Sequence, residues 1–295
     1  MVLPNFIGIG AAKSGTTWLA KCLGEHPDVF MAPVKETEFW KFGDAKQRLD
    51  EYAAHFRGGE GKRAVGEFSV RYLSFPGVPE RLKRVLPDVK LIVSLRNPIE
   101  QIYSNYWHLQ RQNFNLNDPS QAPRSIEQAL KDHREFLFAP ARYGTHLARW
   151  QTLFPRNQFL VILYDDIVSQ PAEVLKRTYE FVGVDSSFRP ASLTAKGSAT
   201  RQGTSPRTES AARWHARIYG ALVRGIYTPM KRILGTRSAA KIKEAVRVRP
   251  LMERVFMREG YPPMSAGTRA LLAKEFTDEI EKLVQVTGLN LDRWK

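Results

Sequence analysis

A chain of 295 residues, 43% of them hydrophobic and 25% charged, can bury the core of one large α/β domain or of two small ones. Its single cysteine, Cys22, excludes an internal disulfide framework, and no apolar run is long enough to span a bilayer. The formal net charge of +15 fits an anionic cofactor, an anionic acceptor, a membrane surface or nucleic acid. Position narrows this: 14 Lys or Arg lie between Arg201 and Arg258 against only Glu209, Glu244 and Glu253, so most of the excess is local.

The first element is an apolar run from Phe6 that reads as a buried strand, followed by Gly10, Gly15 and a helix opening at Thr16-Thr17-Trp18-Leu19. We expect no leader or anchor ahead of Phe6 and, with the lone cysteine, a cytoplasmic protein. A glycine-containing loop feeding a helix N-terminus offers backbone N–H groups and a positive dipole end to an anion. Lys13 adds a charge, and Ser14, Thr16 and Thr17 add hydroxyls. Gly10 and Gly15 have the spacing of Gly-x-x-x-x-Gly-Lys-Ser/Thr, but Thr16 stands where the lysine would follow. The other reading is a tight strand-to-helix turn with an incidental lysine.

A short strand at Asp28–Met31 leads to Lys35-Glu36-Thr37-Glu38-Phe39-Trp40. Glu36 and Glu38 fall at a strand end, where the aromatic pair could desolvate a carboxylate and raise its basicity. A solvated acidic loop fits the spacing equally well. Tyr52 to Gly61 reads as a polar connection, and Arg63–Ser69 as a third strand with Glu67 near its end. Pro79–Leu86 is helical. Val89–Leu95 is a buried strand that runs into Arg96-Asn97-Pro98, with Pro98 opening a helix that carries Ser104. Arg96 there could grip a phosphate with paired charge-assisted bonds, or begin a helix with a surface ion pair.

Gln110 to Pro123 reads as a polar loop, with helices at Ser125–Phe136 and Ala141–Leu153. Gln158–Tyr164 is a fifth strand ending in Asp165-Asp166. Those aspartates suit capping of the next helix better than holding Mg²⁺, since the loop lacks its lysine. Pro171–Val182 is helical. Ser186–Arg207 is rich in small polar residues. Glu209–Leu234 reads as a basic helix, either a cover with a solvated charged face or a platform for a membrane surface or anionic acceptor. Thr268–Thr287 is a long amphipathic helix.

Lys13-Ser14-Gly15-Thr16-Thr17-Trp18 resembles the 5'-phosphosulfate-binding loop of the sulfotransferases that use 3'-phosphoadenosine 5'-phosphosulfate (PAPS). Leu95-Arg96-Asn97-Pro98 with Ser104 and Tyr106-x-His108 resembles that family's 3'-phosphate segment. Lys-Glu-x-x-Phe-aromatic at 35–40 resembles the segment bearing the catalytic glutamate of carbohydrate-type members, which maps to Glu36. The family's Gly-Glu, small polar run and Tyr match Glu67, Ser69 and Tyr72. Some members place a catalytic lysine after that glutamate; this chain has Phe68, with Arg71 as the available stand-in. A basic loop over the nucleotide maps loosely to Lys196, Gly197 and Arg201, for which solvated loop charges are the other reading.

The resemblance implies an α/β fold, a P-loop-like five-stranded parallel sheet flanked by helices on both faces, as one domain over 1–295 with a basic helical part at about 205–260. The alternation of strand and helix patterns supports the same order. It further implies PAPS as donor, no metal, and a small-molecule, glycan or glycolipid acceptor. No nucleic acid is expected, and peripheral membrane contact through the basic helices is a secondary expectation. A P-loop kinase and a non-catalytic polyanion binder are the competing classes.

Overall fold

A computed structural model describes residues 1–113, 125–193, 204–206 and 257–294, with residues 218, 225 and 255 singly. The chain divides into two compact units. The first comprises Met1–Ile102, Glu135–Arg201 and Arg269–Lys295, and the second Tyr103–Arg134 and Gln202–Thr268.

The first unit is built on a parallel sheet. Its strands are β1 (Phe6–Gly10), β2 (Val29–Met31), β3 (Ala64–Phe68), β4 (Lys90–Leu95) and β5 (Phe159–Leu163). They lie in the order β2-β3-β1-β4-β5, with β1 in the middle. All four pairings are parallel. The five expected strands are therefore present, each within a residue of its expected ends.

Alternate residues of each strand face opposite sides of the sheet. On one side Phe6, Phe68, Ile92 and Ile162 pack with Trp18, Leu19 and Leu23 of α1 (Thr16–Gly24) and with Val174, Leu175 and Tyr179 further along. On the other side Ile7, Ile9, Leu91, Val93 and Leu95 are equally buried. Both faces are covered, as an all-parallel sheet requires.

Between strands run α2 (Leu49–Ala53) and α3 (Val78–Val85), then α4 (Pro98–Asn113), which passes into the second unit at Tyr103. The expected helix at Ser125–Phe136 is two, α5 (Ile126–Asp132) and α6 (Arg134–Phe138), broken at His133. The segment from Tyr52 read as a polar connection instead carries the end of α2 and a further turn, Ala54–Phe56. Tyr52 and Phe56 are fully buried there, so their apolar faces outweigh the polar residues around them. The first unit continues with α7 (Tyr143–Gln151), α8 (Tyr164–Ser169), α9 (Pro171–Val182) and the long α10 (Ala266–Thr287), of which Ala266–Thr268 belong to the second unit.

Within the second unit β6 (Thr204–Pro206) pairs antiparallel with β7 (Met257–Glu259). Trp107 stacks on Tyr261 at a centroid distance of 6.0 Å. The basic helix expected over Glu209–Leu234 lies outside the described residues, apart from Ile218 and Gly225. Among the described residues no helix is long and apolar enough to cross a membrane.

The register of β1 on β3 is set by an exchange of rings for glycines. Phe6 sits opposite Gly66 and Gly8 opposite Phe68. A Cβ on Gly8 would stand 2.0 Å from the Phe68 ring, and one on Gly66 2.4 Å from the Phe6 ring. Gly8 is therefore a packing glycine inside the strand. Overpacking a core costs about 1–3 kcal/mol. Gly8→Ala and Gly66→Ala should each lower the unfolding free energy by that order, read from a lower urea midpoint with the slope of the transition unchanged.

Candidate active site

The loop after β1 is held by the strand beside it. The Ala11 N–H donates to the Ser94 carbonyl at 2.7 Å, and the Ser94 hydroxyl donates to the Ser14 carbonyl. Gln101 Nε2 donates to the Ala12 carbonyl at 3.3 Å. The helix then starts from Gly15, whose φ of 85° is left-handed and whose added Cβ would meet Ile167 at 2.9 Å and the Tyr164 ring at 3.2 Å. Both the backbone angle and the space demand glycine. No side chain caps α1 and no acidic residue stands in its first turn. A helix start of this kind is an anion site in waiting.

Each residue expected at this loop has a definite place. Lys13 is half-buried with a positive φ of 66°, unusual for a residue with a side chain. Ser14 is fully buried, and its hydroxyl donates to the Ala12 carbonyl at 3.4 Å. Thr16 is buried and Thr17 exposed on the opening turn of α1.

Arg96 follows β4 with its guanidinium 4.8 Å from the centre of the Tyr164 ring, the ring that also packs on Gly15. Through Tyr164 the arginine and the loop share one end of the sheet. Glu100 lies 4.0 Å from Arg96 and accepts from Arg269 at 2.6 Å. Ser104, expected beside Arg96, belongs to the second unit, where its hydroxyl lies 3.4 Å from that of Tyr261. Lys196, Gly197 and Arg201 lie outside the described residues. The loop and Arg96 are thus assembled within one unit.

The acidic segment is tied to the end of β3. The Glu36 N–H donates to the Phe68 carbonyl at 2.9 Å, and one carboxylate oxygen accepts from the Val70 N–H at 2.8 Å. The other pairs with Lys35. Since the Ser69 N–H donates to the Gly8 carbonyl at 2.9 Å, Glu36 stands at the end of the strand next to β1. Glu38 pairs with buried Lys41 at 2.8 Å and with Arg71 at 3.3 Å. Arg71, the expected stand-in for a lysine at Phe68, is therefore engaged with Glu38, and the Phe68 ring is spent on Gly8.

The aromatic pair does not wrap Glu36. Phe39 stacks on Tyr52 at 4.5 Å, and Trp40 meets Tyr52 edge-on at 5.0 Å, because rings gain more from one another than from a carboxylate. The desolvated acid is Glu67, which is fully buried. It accepts from the Thr37 hydroxyl at 3.0 Å, from Tyr52 at 3.0 Å and from Ser69 at 2.8 Å. Burial pushes the Glu67 carboxyl up, and these hydroxyls pull it part of the way back. Burial and the neighbouring Glu67 charge together push the phenols of Tyr52 and Tyr72 up.

Sequence reasoning placed Glu67 at this strand end but not its burial. It also missed Ser94, Gln101 and Tyr164. A serine interrupting the apolar run of β4 was the one available signal. Asp165 and Asp166 do not cap α8, whose N-cap is Leu163. Asp165 accepts from the Trp294 indole at 2.9 Å and Asp166 from Arg293 at 2.8 Å, so the pair fastens the end of the chain.

Residues 3–202 match the family model described as "Sulfotransferase domain". The human protein named bifunctional heparan sulfate N-deacetylase/N-sulfotransferase 2 is 28% identical over 195 residues, which is 62% of this chain and 22% of that protein. The mouse bifunctional heparan sulfate N-deacetylase/N-sulfotransferase 3 is 23% identical over 308 residues, covering 99% of this chain and 31% of the relative. The chain thus spans well under half the length of these curated relatives. A sulfotransferase crystal structure from Alicyclobacillus acidocaldarius superposes with a TM-score of 0.69 at 24% identity, over 100% of this chain and 99% of that one. At that identity the likeness shows the fold.

Glu67 makes stability depend on pH in a definite direction. Its folded pKa is raised, so the folded chain keeps a proton that the unfolded chain releases near the ordinary glutamate value of about 4.3. The contribution is full below that value and is lost as pH rises through the folded pKa. Urea titrations at stepped pH should show wild type losing more stability than Glu67→Gln as pH rises from there. Parallel curves would refute the assignment.

Proposed function

Because the chain belongs to the sulfotransferase domain family, we propose that it transfers a sulfuryl group from PAPS to an acceptor hydroxyl at the carboxyl ends of β1, β3 and β4. One observation carries the reading: an uncapped helix start behind Gly15, with Lys13 in the loop and Arg96 held beside it over Tyr164. The fit to a nucleotide carrying two anionic ends is of charge and space. The loop is positive and free of side chains at Gly15, and a second cation stands at the next strand end.

When bound, PAPS supplies an activated sulfuryl group on a phosphate leaving group. Lys13 and the N–H groups of Ser14 to Thr17 would hold the negative charge that develops on that 5'-phosphate. Arg96 would bind the 3'-phosphate with charge-assisted bonds, joined by Ser104, which turns remote binding into positioning. Lys196, Gly197 and Arg201 would close on the nucleotide. Glu36, accessible and held by Val70, would take the acceptor proton, a contribution of roughly 10²–10⁴ in rate.

The printed names of the relatives make a glycan such as heparan sulfate the first acceptor class to test, ahead of glycolipids and small alcohols. The charge between Arg201 and Arg258 would recruit an anionic acceptor by its field. We place the protein in the cytoplasm, with the same basic stretch as its contact to membrane surfaces. A kinase reading finds less support. Thr16 stands where the phosphate-binding lysine would be, and Asp165 and Asp166 are taken by Trp294 and Arg293.

Calorimetry with 3'-phosphoadenosine 5'-phosphate, AMP and ATP, with and without Mg²⁺, tests the donor site. The 3'-phosphorylated ligand should bind at least about tenfold more tightly than AMP, with no need of metal, since a hydrogen bond to a charged group is worth about 1.5–3 kcal/mol. Arg96→Ala should erase that preference, and a preference for ATP with Mg²⁺ would overturn the proposal. Glu36→Gln should leave that affinity within about twofold and lower turnover by roughly 10²–10⁴, read with sulfur-labelled PAPS and desulfated, N-acetylated heparan sulfate, which offers hydroxyls alone.

A further inference from the structure

Two residues of the acidic segment have unusual backbone angles. Glu36 and Glu38 carry side chains yet have φ of 63° and 53°, in the left-handed region that such residues rarely occupy, and Thr37 lies between them. Strain of this kind persists only where the surroundings over-determine it. Here the surroundings can be traced bond by bond.

The Glu38 N–H donates to the Ser69 hydroxyl at 3.2 Å, and that hydroxyl donates to Glu67 at 2.8 Å. The Trp40 N–H donates to the Tyr72 oxygen at 3.4 Å, and Tyr72 meets the Thr37 hydroxyl at 3.0 Å. Thr37 in turn donates to Glu67 at 3.0 Å. The hydroxyl protons are thereby ordered. Tyr72 gives to Thr37, Thr37 and Ser69 give to Glu67, and Tyr52 gives to it from the other side. Two chains of bonds begin at backbone N–H groups of the acidic segment and end on one buried carboxylate. Arg81 closes the far end, donating to the Trp40 and Lys41 carbonyls at 2.6 and 2.9 Å.

We propose that Glu67, acting through Thr37 and Ser69, is the positioning residue of this site: it holds Glu36 and Glu38 in left-handed conformation and so presents the Glu36 carboxylate to the acceptor. The inference rests on the reading of Glu36 as the base. Glu67 touches neither donor nor acceptor in this scheme. Its cost is a buried acid, and its return is a rigid turn in a segment whose sequence would otherwise relax to ordinary angles. The arrangement resembles the outer hydrogen bonds that fix a metal ligand or a catalytic imidazole, with a threonine hydroxyl as the go-between.

The decisive variant is Thr37→Val, which keeps the shape of the side chain and removes one donor. Amide hydrogen exchange should speed up at least tenfold at Glu38 and Val70, while affinity for 3'-phosphoadenosine 5'-phosphate stays within twofold. With PAPS and desulfated, N-acetylated heparan sulfate, kcat should fall at least tenfold and the KM for PAPS should not move. Thr37→Ser should restore exchange and kcat to within threefold of wild type, and Glu67→Gln should reproduce the loss wherever it folds. Wild-type exchange at Glu38 and Val70 in Thr37→Val, or faster exchange with unchanged kcat, overturns the proposal. Should Glu36→Gln remain fully active while Thr37→Val still loosens those amides, the base assignment falls and the positioning of the turn stands.

Discussion

Everything at the carboxyl end of the sheet depends on how closely β1 and β3 approach. Phe6 over Gly66 and Phe68 over Gly8 interlock the two strands in a register that a slip of one residue would destroy, since each ring would meet a side chain in place of a glycine. The register brings the phosphate-loop strand and the strand that carries Glu67 to the same level. It also accounts for Phe68. A lysine there would leave Gly8 uncovered, so the catalytic lysine of some relatives and this ring packing compete for one position. The cations near the acidic segment come from Lys35, Lys41 and Arg71 instead.

The two halves of the site reach their electrostatics by opposite routes. On the β1 side, positive potential comes from a helix start without a cap and a lysine held in a left-handed turn. On the β3 side, a carboxylate is taken fully out of water and compensated by three hydroxyls. A buried acid without partners costs several kcal/mol, so the hydroxyls are a condition of the fold and not an ornament to it. The half-buried acids Glu36 and Glu38 sit one residue either side of the threonine that completes this compensation. Local stability and the presentation of the acidic segment are therefore one problem.

The strands were legible because buried parallel strands read as unbroken apolar runs, and Gly15 and Pro98 punctuate as expected. The loop residues and Arg96 followed, since a strand end fixes where the next residue points. What escaped are the contacts made across long separations. Nothing near Asp165 and Asp166 announces that Arg293 and Trp294 will fold back on them, so local capping was the natural expectation. Tyr52 and Phe56 read as part of a polar connection, although their spacing of four puts both rings on one helical face, where Tyr52 stacks on Phe39 and meets Phe56 edge-on. Glu67 was visible as a residue, but burial of a glutamate in a strand leaves no sequence signal distinct from that of an exposed one.

The missing lysine after Gly15 is more than a departure from a motif. A lysine at the opening of the helix reaches forward to the last phosphates of a triphosphate, whereas one inside the loop, at Lys13, sits at the bend itself. The backbone of the bend is held by Ser94 and Gln101. In the proposed function a charge at the bend serves a ligand whose reacting group is attached to the first phosphate from the sugar. At the β5 strand end Asp165 and Asp166 are engaged by Trp294 and Arg293. Arg96 then has a use that a triphosphate would not supply. In the proposed function it offers a second anion grip on the neighbouring strand, for a nucleotide phosphorylated on both sides of its ribose.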